Sequence, residues 1–146
     1  MIDDFLHVAI TCRDLEVSIR FYESLGLEVT KRIGEIREEG IARAFQLPEC
    51  HLKVVHLAPP GATSRMFIDL VQWVEPASAG GPYPSLTHVG INRVAFRVSD
   101  VDATSAALRE KGIAFLSDEP QSFGPGIRGI VTTDPDGVFV QLVEGL

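Results

Sequence analysis

The chain has only two cysteines among its 146 residues, Cys12 and Cys50, and neither sits in a C-x-x-C or other redox spacing. They read as free thiols acting as small buried side chains, not as a disulfide framework. No apolar run approaches the length that spans a bilayer, and Met1 is followed by Asp3 and Asp4, the reverse of a signal-peptide start. Basic residues are scarce: 13 Lys and Arg against 20 Asp and Glu give a net charge of −7, and no basic block offsets it. That removes the electrostatic footprint of nucleic-acid binding and any attraction to anionic membranes. The glycine-rich stretch SFGPGIRG, Ser122 to Gly129, matches no phosphate-loop spacing and reads as a mobile loop. These absences lead to the expectation of a cytoplasmic protein. Its composition, 45% hydrophobic and 23% charged, is ordinary for a globular chain. Its length suits one domain, or two small modules sharing a core.

What is present is a repeat. FLHVAITCRD, Phe5 to Asp14, and INRVAFRVSD, Ile91 to Asp100, both alternate apolar residues toward an Asp. Each Asp is followed twelve residues later by Gly, Asp14 by Gly26 and Asp100 by Gly112. Asp is a favoured N-cap and Gly permits the left-handed conformation past a last turn, so each pair brackets a helix. Between them Leu15, Ile19, Tyr22 and Leu25 recur at helical spacing, as do Val101, Thr104, Ala107 and Leu108. In the first module, strands are predicted at LEVTKRI, HLKVVHLA and MFIDLVQW, with an extra helix over about 35–46 and a turn at PPGATS. In the second, strands are predicted at IAFL, RGIVTT and VFVQLVE, the last two joined by the turn DPDG. The modules are placed at residues 1–74 and 89–146, with a Pro-, Gly- and Ser-rich linker over 75–88.

The order βαβββ, twice, is carried by HVAI and DLEVSIRFYESLGLEV, by RVAFRVSDVDATSAALREKGI and by the closing DPDGVFVQLVE. It resembles the vicinal oxygen chelate superfamily, which includes glyoxalase I, methylmalonyl-CoA epimerase, extradiol dioxygenases and the bleomycin- and fosfomycin-resistance proteins. The resemblance implies an α+β fold of two βαβββ modules forming a partly open, barrel-like mixed sheet with helices outside, and a homodimer. It does not by itself choose a chemistry.

Strand alternation then sorts the faces. Val8, Ile10 and Cys12 should pack under the first helix, leaving His7, Ala9 and Thr11 on the concave face. By the same parity Arg93, Ala95 and Arg97 are concave in the second module, as are Phe67, Asp69, Val71 and Trp73, and Phe139, Gln141 and Val143. The superfamily draws metal ligands from the first and last strands of its modules, and the matching positions here are His7, Asp69, Arg93 and Gln141. The resemblance therefore implies a divalent metal (Zn, Ni, Co, Mn or Mg) on His7, Asp69 and Gln141, or none where Arg93 occupies the site. Arg93 departs from the pattern, because a guanidinium offers no lone pair and stays protonated.

That departure argues against an extradiol dioxygenase, which needs a second histidine. His7 reads either as a ligand or as a hydrogen-bonded histidine, and Asp69 as a general base, a ligand or the ion-pair partner of Arg93. Arg93 reads as a catalytic or substrate-binding fork for a carboxylate, phosphate or enolate oxygen. Phe67, Trp73 and Phe139 read as apolar walls for a substrate, or as packing. His51 and His56 lie on one strand with opposite parity, so at most one is concave. The expectation is a lyase or isomerase that abstracts a proton beside a carbonyl of a small oxygenated metabolite. The alternative is a metal-free, drug-sequestering binding protein.

Overall fold

The computed structural model describes residues 1–62 and 66–146. The chain forms two compact units, Met1–Gly80 and Gly81–Leu146, each an α+β unit built on one four-stranded mixed sheet.

In the first unit the elements run β1 (His7–Thr11), α1 (Leu15–Ser24), β2 (Glu28–Ile36), α2 (Glu39–Phe45), β3 (His51–Ala58) and β4 (Phe67–Glu75). The sheet order is β1-β4-β3-β2, with β1 parallel to β4 and the other pairs antiparallel. In the second unit β5 (Val94–Arg97), α3 (Val101–Glu110), β6 (Gln121–Gly124), β7 (Ile127–Thr133) and β8 (Phe139–Glu144) give the order β5-β8-β7-β6, again with one parallel pair.

The duplicated sequence signals act as local chemistry dictates. The Asp14 carboxylate accepts from Val17 N at 3.0 Å and that of Asp100 from Ala103 N at 2.8 Å, so both are working N-caps. Gly26 (φ +99°) and Gly112 (φ +86°) hold the left-handed conformation that ends each helix. A second cap comes from the last strand of each unit. Gln72 Oε1 accepts from Leu15 N at 3.1 Å, and Glu144 Oε2 from Val101 N at 2.8 Å. These satisfy first-turn N–H groups that have no partner within a helix.

Alternation places the core where expected. α1 buries Leu15, Ser18, Ile19 and Tyr22 against a sheet face carrying Ile10, Val55, Leu57, Ile68 and Leu70, with Leu57, Leu70 and Tyr22 fully buried. At roughly 25 cal/mol per Å² of apolar surface, each such large side chain contributes about 2 kcal/mol of favourable transfer energy. On the opposite face, Leu52, Val54 and Val71 form a smaller cluster joined by Ile36, Ile41, Cys50 and Trp73. In the second unit α3 buries Val101, Ser105 and Leu108, while the sheet buries Ile130, Val140 and Leu142.

Three expectations are corrected. The helix predicted from residue 35 starts at Glu39, because β2 continues to Ile36 and pairs it with Leu52. IAFL is not a strand; only Phe115 bridges to Thr132. The fourth strand is instead β6, within the stretch read as a mobile loop: Gln121 pairs with Gly129 and Gly124 with Ile127, so SFGPGIRG is a hairpin turning at Pro125 and Gly126. Pro125 and Gly126 suit the turn, but the polar, short β6 carries no apolar alternation to announce a strand. The turn at PPGATS is described as far as Ala62; the rest lies outside the described residues.

Candidate functional site

The register assigns equivalence between the units. Ala9 is opposite Asp69 on β1 and β4, and Ala95 is opposite Gln141 on β5 and β8. His7 and Arg93, each two residues before its alanine, therefore hold matching positions, and so do Asp69 and Gln141. The two pairs have diverged in chemistry.

In the first unit, three neighbouring strands bring His7, Asp69 and His56 together. His7 Nε2 lies 3.9 Å from Asp69 Oδ2, and His56 Nε2 lies 3.5 Å from Asp69 Oδ1. His56 stands directly opposite Asp69 in the β3–β4 register, which puts both on the face away from α1. Phe67 floors the cluster. Its ring stacks on His56 at 4.1 Å between centroids, and His7 lies 5.3 Å away. Asp69 is four-fifths buried, and among the described residues its Oδ1 has no hydrogen-bond partner. A buried, unpartnered carboxylate oxygen is costly, and it is the feature here that most needs a reason. Burial lowers the pKa of His56 below its usual value; the Asp69 carboxylate opposes this, while Lys31 and His7 add to it.

In the second unit, Arg93 Nε donates to Gln141 Oε1 at 2.7 Å and Arg93 Nη1 to Asn92 Oδ1 at 3.1 Å. Gln141 is only 5% exposed, whereas Arg93 is exposed. A divalent ion does not fit this pair. The guanidinium has no lone pair, and the amide oxygen is already engaged by a cation. A unit positive charge about 4 Å from a divalent ion repels it by roughly 8 kcal/mol at an effective dielectric of 20. Among the described residues no group of three His, Cys, Asp or Glu side chains is arranged to hold a metal ion.

The remaining sequence candidates fall in different places. Trp73 joins the apolar cluster and meets Phe45 of α2 edge-on, 6.3 Å between centroids. Phe139 opens β8, half-buried, opposite Thr133. Phe67, besides flooring the cluster, lines a cavity of about 310 Å³ with Thr30, Ala58, Pro60 and Met66. His51 is buried beside Glu35 (3.1 Å) and Glu75 (3.9 Å), away from Asp69's cluster. His56 was the missed member. Its parity left it eligible, but only the β3–β4 register sets it against Asp69.

The model of the Glyoxalase/Bleomycin resistance protein/Dioxygenase superfamily matches residues 4–142. Among solved structures, a glyoxalase family protein from Bacillus cereus has a TM-score of 0.86 at 21% identity, covering 100% of this chain and 96% of that one. The trypanothione-dependent glyoxalase I of Leishmania major has a TM-score of 0.68 at 23% identity, covering 98% of this chain and 87% of that one. An antibiotic binding protein from Streptomyces sp. CB03234 has a TM-score of 0.67 at 23% identity, covering 99% and 98%. At these identities the structural likeness establishes the fold. Comparison with curated proteins returns no match.

Proposed function

The chain belongs to the Glyoxalase/Bleomycin resistance protein/Dioxygenase superfamily, and from that premise we propose that it is a small-molecule enzyme working by acid–base chemistry centred on Asp69. The observation that carries this reading is the buried Asp69 carboxylate, whose Oδ1 lacks a hydrogen-bond partner among the described residues and which is flanked by His56 on the Oδ1 side and His7 on the Oδ2 side. A carboxylate held this way is desolvated yet not clamped, which suits it to take a proton from carbon beside a carbonyl. The proton moves to Asp69, the electron pair of the C–H bond enters the enolate, and reprotonation completes an isomerisation or loss of a leaving group a lyase reaction. His7 and His56 are then positioned to hold or relay the proton at the two carboxylate oxygens. No step is routed through a metal ion, because Arg93 and Gln141 do not fit one and, among the described residues, no three His, Cys, Asp or Glu side chains are arranged to hold one.

A second reading, a binding protein that sequesters a planar small molecule, is favoured by one feature: the stacked His56–Phe67 platform. Proton–deuterium exchange separates the two. Pyruvate, acetoacetate and hydroxyacetone in D₂O with a chelator, followed by proton NMR, should show enzyme-accelerated exchange that falls by about a hundredfold or more in Asp69→Asn. Exchange that survives Asp69→Asn unchanged overturns the role of Asp69. Thermal stabilisation by planar aromatics, with no exchange of any probe, favours the binding protein.

A further inference from the structure

We infer that Arg93 is an anchored cation that binds the anionic group, a carboxylate or phosphate, of a small molecule, and that Gln141 is its positioning residue. This concerns the second unit alone and does not rest on the role given to Asp69.

The argument starts from what the hydrogen bonds leave over. A guanidinium carries five N–H donors. Nε is committed to Gln141 Oε1 and one Nη1 donor to Asn92 Oδ1. The Nη2 group and the second Nη1 hydrogen remain for a ligand, the end-on fork that matches two oxygens of an oxyanion. Both partners are neutral amides, so they orient the cation without cancelling its charge. Among the described residues no carboxylate lies within ion-pair distance of Arg93. By contrast, Arg32, Arg43 and Arg128 each meet a carboxylate in their own unit.

Gln141 itself is placed with little freedom. It is 5% exposed in the middle of β8, opposite Ala95 on one side and Val131 on the other. Its amide nitrogen lies where Gly129 leaves room: a methyl group there would come within 3.3 Å of Nε2 and 2.9 Å of the Leu142 carbonyl oxygen. A buried amide flanked on its strand by Val140, Leu142 and Val143 costs desolvation unless bonded. Holding a guanidinium in one rotamer, without neutralising it, is what this amide accomplishes.

The test uses the full chain and the Arg Nε–H signals in ¹⁵N–¹H NMR spectra, with the Arg93 signal assigned by its loss in Arg93→Met. Pyruvate and inorganic phosphate are titrated separately at constant ionic strength. The expected result is a saturable movement of the Arg93 signal, with pyruvate alone, phosphate alone or both, which also identifies the anion. Gln141→Glu keeps the size and bond of the partner but cancels the charge, and should weaken the anion at least about tenfold. Arg20→Gln, on the exposed side of α1, should leave binding as it was. No saturable movement with either probe, or Gln141→Glu binding as tightly as the unaltered chain, overturns the proposal and leaves the pair a structural contact.

Discussion

Replacing Asp69 by Asn is the most informative single perturbation, because it separates the charge of the cluster from its shape. His56 Nε2 lies 3.5 Å from Asp69 Oδ1, with the two side chains 22% and 19% exposed. At that separation a carboxylate favours a protonated imidazole by about 1 kcal/mol in water and about 5 kcal/mol at an effective dielectric of 20. His56 already titrates below its usual value because burial outweighs Asp69. Removing Asp69's charge takes away the term that opposes burial, so the His56 midpoint must fall further. The stability consequence has a definite sign. With a folded pKa below the unfolded one, the unfolded chain binds more protons as pH falls below about 6.5, so stability is lost through that window down to the folded pKa. Asp69→Asn widens the window and should be less stable than the unaltered chain near pH 5. Near pH 8, where His56 is neutral in both, the variant no longer buries an unpaired carboxylate oxygen and should be equal or more stable, by about 1 kcal/mol. Histidine Cε1–H titration by NMR, with urea unfolding at both pH values, reads both effects. A His56 midpoint that stays level or rises in Asp69→Asn would refute the cluster's electrostatics.

Two further substitutions test the frame that positions these residues. Glu144→Ala removes the cap that β8 supplies to Val101 N, and should cost about 1–2 kcal/mol in urea unfolding, while Glu144→Gln, the chemistry used by Gln72, retains most of it. Gly129→Ala pushes a methyl group against the Leu142 carbonyl and Phe123, and should cost about 1–3 kcal/mol. Through its contact with the Gln141 amide it should also shift the Arg93 Nε–H signal; an unmoved signal would show that Gln141 is not confined as described.

Period, caps and turns were legible because they are local. Asp14 to Gly26 and Asp100 to Gly112 bracket helices through bonds made within a few residues. The twofold alternation in FLHVAITCRD and INRVAFRVSD sorts exposed residues from covered ones for the same reason, with Ile10 and Cys12 buried in the first and Val94, Phe96 and Val98 half-buried in the second. Family membership followed from the order of such signals, and so did the matching of His7 with Arg93. β6 escaped because its pairing partner, not its own composition, makes it a strand. What only the tertiary structure decided is which side chains meet across strands. The β3–β4 register sets His56 against Asp69, and the reach of Arg93 across the β5–β8 pair gives it the oxygen of Gln141. Those contacts join residues 13 and 48 positions apart, through a hydrogen-bond register that no local preference specifies. The sequence alone thus determined the scaffold and named Arg93 as its exception. The fold decided what that exception is bonded to, because side-chain chemistry depends on neighbours that the chain brings together only when it pairs its strands.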